Sequence, residues 1–500
     1  MLRRLLVLLA AVAPLTAAPF GFEDVTALAQ RQAAAPWQAP ATPMPPALAA
    51  LDYDAAREIR FRPEHAVWRG GPFELQFFHR SRLQRDSVAV YLIEDGHARR
   101  LGVARAAWDF GHLPASHGLD PAQLAEPGPA GFRIHHALND PAYKDELIAF
   151  LGASYFRALG RGQRYGLSAR ALAIDTVGAG PEEFPRFTSF WIERPAADDP
   201  GITVYALLDS ARAAGAWQFR IRPGDNTVLD VRARLFLRAP VTMLGLAPLS
   251  SMYQHGENQP RPGDFRPEVH DSDGLSLAAD GEWLWRPLVN PLRPLASSFV
   301  AGRLQGYGLM QRDRRFASFE DDEAHYERRP SAWVEPLGDW GRGRVLLLQL
   351  PTPDETHDNI VAAWVPDKQP EPGQALDFAY RLHWQGAAFS APSTGWTLQS
   401  RQGRGWAAPS RGEQQFIVDF DGPALRALPT GATVDAVVTP LANARLLQAH
   451  AWPHPNGGWR MSLRLQRLDA AQPMELRAYL AQGGQALTET WAALIPEDSR

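Results

Sequence analysis

Two short stretches concentrate ionisable side chains among turn-forming residues: Arg266-Pro-Glu-Val-His-Asp-Ser-Asp-Gly274 and Pro351-Thr-Pro-Asp-Glu-Thr-His-Asp-Asn359. Their carboxylates are Asp271, Asp273, Asp354, Glu355 and Asp358. Glycosidic cleavage uses such groups in pairs: one, protonated, helps the leaving oxygen depart, and another takes a proton from water. The competing use of the same residues is turn chemistry, since Asp and Asn side chains accept bonds from nearby backbone amides. His270 and His357 sit beside these aspartates, but neither stretch has a metal-ligand spacing, so no metal is expected. The chain has no cysteine, which excludes a thiolate nucleophile, zinc-thiolate sites and iron-sulfur clusters. Ser154 lacks the G-x-S-x-G elbow of serine hydrolases. Between the two acidic stretches lie Gly281-Glu-Trp-Leu-Trp-Arg-Pro287 and His325-Tyr-Glu-Arg-Arg-Pro-Ser-Ala-Trp333, crowded with aromatics and arginines. Sugars bind where ring faces meet C–H faces and directed polar groups meet hydroxyls.

Holding such groups in one place takes a scaffold, and the sequence reads as strands. Phe73, Leu75 and Phe77 alternate with Glu74 and Gln76, and Trp217, Phe219 and Ile221 alternate with Gln218, Arg220 and Arg222. Leu229, Val231, Ala233, Leu235 and Leu237 alternate with Asp230, Arg232 and Arg234, with Phe236 the one apolar residue on the outer face. Period two marks half-buried antiparallel strands. With 43 Pro and 41 Gly in 500 residues, an all-β protein rich in turns is expected. No G-x-G-x-x-G follows a strand and no P-loop occurs, so nucleotide folds and cofactors lack support. A net charge of −4 gives no field for phosphates, which argues against nucleic acid as a partner.

The first residues, Met1-Leu-Arg-Arg4, an apolar run to about Leu15 and Thr16-Ala-Ala18, predict a Sec-type signal peptide over 1–18 and a periplasmic product. No other apolar stretch is long enough to span a membrane. Phe22 to Arg31 predicts a short helix, followed by a proline-rich arm. The segment Val365-Pro-Asp-Lys-Gln-Pro-Glu-Pro-Gly373 predicts a linker at 366–373, dividing a large N-terminal β-sandwich (19–365) from a small C-terminal domain (374–500). Strand-like stretches at Leu376 to Trp384, Phe416 to Phe420, Val434 to Val438 and Trp459 to Leu465, with a hairpin signal at Asn456-Gly457, suggest an immunoglobulin-like sandwich there.

Several strings carry a family resemblance. They include Leu151-Gly-Ala-Ser-Tyr-Phe-Arg157, Tyr165-Gly-Leu-Ser-Ala-Arg170, Ala173-Ile-Asp-Thr176, Phe190-Trp-Ile-Glu-Arg-Pro195, His270-Asp-Ser272, Arg329-Pro-Ser-Ala-Trp333 and Asp354-Glu-Thr356 with Asp358-Asn-Ile360. The chain resembles the periplasmic glucans biosynthesis proteins of the G and D type, the G branch more closely. One departure is Ala171, where the family usually has glycine. The resemblance implies a carbohydrate-active, mutarotase-like β-sandwich followed by an immunoglobulin-like domain, and anomer-inverting cleavage of a β-1,2-linked glucan. It assigns Asp358 as general acid and Asp271 as general base; an apolar or acidic neighbourhood would then keep Asp358 protonated, Glu355 of the same motif being the nearest candidate. Trp283, Tyr326 and Trp333 are then expected as stacking platforms and Arg329 as a hydroxyl clamp, against core packing as their other use. Two further functions remain open on the same residues: a glucan-binding scaffold working with a membrane glucosyltransferase, and a transglycosylase that closes the glucan into a ring.

Overall fold

The computed structural model describes residues 19–40, 43–124, 128–178, 180–403 and 412–497. The expected signal peptide lies outside the described residues. The protein is all-β, as its composition and alternation require, and two sheets face each other across one core. The first sheet runs from Phe73–Phe78 through Gly131–Asp140, Tyr143–Leu151, Tyr155–Ala158, Ser168–Arg170, Leu244–Ser251, Ile360–Pro366 and Gly343–Gln349 to Leu295–Ala301. The second runs from Glu282–Pro287 through Gly274–Ala279, Leu304–Met310, Ser331–Pro336, Ala375–Gln385, Thr227–Leu237, Ala213–Arg222, Ile202–Asp209 and Arg186–Glu193 to Ala89–Glu94 and His97–Arg100.

The alternating residues do what their period predicts. Trp217, Phe219 and Ile221 point inward, and Phe219 meets Phe150 and Phe156 of the first sheet at 5.3 and 5.1 Å. Each such ring taken from water contributes roughly 1.5–3 kcal/mol, which sets the register of both sheets. Phe236 is explained by the helix Phe22–Ala34, which lies across the outer face of the second sheet. There Phe22, Val25 and Ala29 cover Trp191, Tyr205, Leu207 and Phe236. Ala171, at the bend between Ser168–Arg170 and Leu172–Ile174, is fully buried and is not among the residues with positive φ, so the backbone there accepts a side chain.

The C-terminal part is a second sandwich. Trp396–Gly403, Glu413–Asp421, Trp459–Arg467 and Ala444–Pro453 form one sheet, and Asp435–Ala442, Met474–Gln482 and Thr490–Ile495 form the other. Trp459, Met461, Leu463 and Leu465 are buried between them, and Asn456-Gly457 makes the expected hairpin, with Gly457 at φ +94°.

The expected boundary needs correction. The strand Ala375–Gln385 is not in the C-terminal domain: it pairs with Thr227–Leu237 on one side and Ser331–Pro336 on the other, in the middle of the second sheet. The proline-rich segment 366–373 is therefore a crossover between the two sheets of one sandwich, and the N-terminal unit extends to Gln385. Prolines mark a chain that leaves a ladder, and a sheet-to-sheet crossover leaves one as surely as an interdomain linker does.

The sandwiches are joined firmly. Thr490–Ile495 adds in parallel to Glu282–Pro287, so the second sheet continues into the C-terminal unit. Next to this seam Arg312, completely buried, donates to Glu489 at 2.5 Å and lies over the Trp285 ring at 3.7 Å.

Candidate functional site

Asp271 and Asp358 arrive at the same place because both segments are bonded to one short piece of chain. The central strand Leu244–Ser251 continues through Met252 to Tyr253. On one side the Asp271 N–H donates to the Met252 carbonyl at 2.9 Å, and the Ser251 hydroxyl meets that of Ser272 at 2.9 Å. On the other, the Asn359 N–H donates to the Ser251 carbonyl at 3.1 Å. The Asn359 side chain then accepts from the Tyr253 N–H and donates to the carbonyls of Tyr253 and Leu350. Asn359, 2% exposed, is thus the pin that fixes the loop carrying Asp358.

The two carboxyls meet different surroundings. Asp271 is buried and receives the guanidinium of Arg329. Burial pushes its carboxyl up, while Arg329 and the neighbouring His270 and Arg157 pull it back towards the ionised form. Asp358 has no hydrogen bond or ion pair among the described residues. It is open to water on one side and crowded by protein on the others, and that crowding, together with the charge of Asp271, pushes its carboxyl up to about 6. Arg157, Arg170 and Arg329 oppose the rise. An arginine-paired carboxylate thus faces an unpaired carboxyl that holds its proton more readily, the asymmetry an acid and a base require.

Glu355 does not fill the place expected of it. Its carboxylate accepts from Arg266 at 2.7 Å and from the Tyr326 hydroxyl at 2.8 Å, and the acidic neighbour that raises Asp358 is Asp271. Arg266 also binds Asp264 and Asp321, so Glu355 belongs to a fixed ion-pair network around one guanidinium. Tyr326 and Arg329 are brought to the site, joined to each other: the guanidinium lies 4.0 Å from the ring centre. Tyr326, 2% exposed, supports Arg329 from below and offers no open face. Tyr326→Phe should lower unfolding free energy by about 1 kcal/mol through loss of the bond to Glu355, read as a shift in urea midpoint. An unchanged midpoint would mean that water replaces the bond without loss.

Trp283 and Trp333 are not brought to the site. They stack on each other at 5.3 Å and pack in the apolar cluster shared with the C-terminal sandwich. The period of their strands turns them to the face opposite the first sheet, so packing is their use. Asp354 follows turn chemistry, its carboxylate accepting from the Thr356 N–H at 2.9 Å and from the Thr356 hydroxyl.

Three residues missed in the sequence reading complete the surroundings. Arg157 acts on both aspartates, Arg170 on Asp358, and the Tyr155 phenol feels the charge of Asp358. All three sit in strings already singled out by resemblance, Leu151 to Arg157 and Tyr165 to Arg170. Arg157 also ends a straight row across the first sheet, Gln76 to Arg133 to Ala149 to Arg157. The row leads from a groove of about 1430 Å³, lined by Gln76, Arg133, Lys144, Phe78, His79 and Tyr143. A smaller hollow of about 320 Å³ shares Leu83, Gln84 and Leu151 with the groove and has Tyr155 in its wall.

Fold and site together define a class: a two-sandwich, all-β protein in which two unlike aspartates are pinned to one strand end, with a large groove elsewhere on the same sheet. Comparison makes it particular. The family described as periplasmic glucan biosynthesis protein, MdoG, matches residues 20–495, and the chain belongs to that family. It is similar to glucans biosynthesis protein G of Ralstonia nicotianae, with 50% identity covering 98% of each chain. It is likewise similar to those of Pseudomonas paraeruginosa (44%, covering 96% of this chain and 93% of that one) and Pectobacterium atrosepticum (42%, 95% and 93%). The chain therefore has a role in periplasmic glucan biosynthesis. No helix among the described residues is long and apolar enough to cross a membrane.

Proposed function

We propose that the protein lays a β-1,2-linked glucan along the groove and cuts its backbone between Asp358 and Asp271 with inversion at the anomeric carbon. The observation that carries this reading is the pairing of one bare, upshifted carboxyl with one buried, arginine-held carboxylate, both pinned to Ser251–Tyr253. Asp358 donates its proton to the glycosidic oxygen as the C–O bond breaks. Water adds from the opposite face, and its proton passes to Asp271, directly or through a water or sugar hydroxyl in reach. Arg329 keeps Asp271 ionised, and burial keeps it basic enough to accept. The choice of β-1,2 linkage follows from the family resemblance. In this reading residues 1–18 export the chain to the periplasm, and a membrane glucosyltransferase supplies the glucan.

The deciding experiment incubates the protein lacking residues 1–18 with linear β-1,2-glucan and follows chain length and product anomer. Shortened chains whose new reducing ends first appear as the α-anomer support the proposal. Rings or redistributed lengths would replace hydrolysis by transfer, and unchanged chains with measurable binding would make the protein a glucan carrier.

A further inference from the structure

Two buried groups stand behind Asp271 that the cleavage step does not use. His270 is fully buried, with its ring stacked on Tyr253 at 5.3 Å and Phe319 against its edge. The Gln311 side-chain amide donates to the carbonyls of His270 and Tyr326 at 3.1 and 3.2 Å. Carbonyls only accept, so this pair of bonds fixes which way the amide points. Its oxygen therefore faces His270 Nδ1 at 2.9 Å, and Nδ1 carries a hydrogen. His270 Nε2 lies 2.8 Å from Glu268 Oε2, so another proton sits between ring and carboxyl. Glu268, 3% exposed, is in turn within hydrogen-bonding reach of the Glu257 carboxyl. Two ionised carboxylates do not hold that contact, so a third proton is kept there. The outer end of Glu257 is held by the C-terminal sandwich: its Oε1 accepts from the Ser400 N–H at 3.0 Å, and its carbonyl from the Gln402 N–H at 3.2 Å.

We infer that Glu257, Glu268 and His270 form a buried proton-sharing relay that holds Asp271 in place and ionised from behind, with its outer end gripped by the C-terminal sandwich. Glu268 and His270 are positioning residues: they touch no substrate and act through the peptide unit and the field at Asp271. The inference rests on the reading of Asp271 as the base. Other charges bear on the relay. Asp273 and Asp313 oppose ionisation of Glu268, and Arg401 favours it. Arg315 faces both glutamates, and His255 feels His270. Burial holds Glu257 well above the ordinary carboxylate range and Glu268 at about 7.

Glu268→Gln tests the relay while keeping its shape, since the amide can donate to Nε2 and accept from Glu257. With the amide donating to Nε2, that nitrogen accepts and carries no hydrogen, so the ring is neutral and its pull on Asp271 is lost. The acid limb of the pH profile of kcat/KM on linear β-1,2-glucan should then move up by about one pH unit.

A second readout needs no turnover. A carboxyl raised from about 4.5 unfolded to about 7 folded stabilises the fold fully below pH about 4.5, and that contribution is lost as pH rises through about 7. Glu268→Gln should therefore flatten the fall in unfolding midpoint over that window. An unflattened slope overturns the relay. A flattened slope with an unmoved acid limb overturns its action on Asp271. A wild-type protein without turnover sinks the proposed cleavage, and the slope still judges the relay alone. Should Glu268→Gln fail to fold, the wild-type protein is read by itself: an unfolding midpoint that does not fall between pH about 4.5 and about 7 overturns the relay.

Discussion

Asp358→Asn should reduce cleavage of linear β-1,2-glucan roughly a thousandfold, while oligosaccharide affinity stays within about threefold of wild type. The amide has the shape of the acid but no proton to give, so the loss falls on kcat and leaves KM largely in place. Among the described residues Asp358 accepts no bond from a neighbouring donor, so the substitution strands no described partner and should not unfold the loop, which Asn359 pins separately. A substrate with an activated aryl leaving group needs less protonation and should recover much of the rate. The wild-type profile carries the same assignment with a definite sign. A general acid must be protonated to work, and this one is held at about 6, so activity should decline as pH rises through about 6. Wild-type turnover in Asp358→Asn, or a profile flat to pH 8, would remove Asp358 from the reaction.

The second large effect is expected at Asp271. Asp271→Asn should also cost roughly a thousandfold in kcat, but with two differences. An activated leaving group should not rescue it, because the missing step is acceptance of the proton from water. A small anionic nucleophile such as azide, which needs no base, should restore product formation with the inverted anomer. This substitution also leaves Arg329 buried without its counter-charge, so a loss of stability accompanies the loss of rate. Near-wild-type turnover in a folded Asp271→Asn protein would return that residue to turn chemistry.

The architecture was largely legible because period-two alternation is a local signal, and the cores at Trp217 to Ile221 and Trp459 to Leu465 followed it directly. The domain boundary was not, because proline reports that a strand has ended and says nothing of where the next one pairs. Only the ladder of Ala375–Gln385 with both its neighbours shows that the large sandwich continues past residue 373. At the site, Asp271 and Asp358 were reached through their motifs, and the structure supplies what motifs cannot: the shared anchorage on Ser251–Tyr253. Glu355 was misread because three residues along a loop do not imply one facing direction, and Arg266 takes its carboxylate elsewhere. Trp283 and Trp333 were misread because a ring that stacks on a sugar and a ring that stacks on another ring are the same residue in a sequence. The Glu257–Glu268–His270 arrangement left no local mark, since Glu257 comes from a turn, Glu268 and His270 from the short strand Val269–His270 and the residue before it, and the outer anchor from the strand Trp396–Gly403.

The parallel addition of Thr490–Ile495 to Glu282–Pro287 makes the two halves inseparable in practice. A fragment ending at Gln385 would present a raw ladder edge at Glu282–Pro287, strip the cover from Trp285 and Trp333, and leave Arg312 without its carboxylate. Such a piece would recruit copies of itself to replace the missing strand, and would be recovered as aggregate instead of a miniature of the whole.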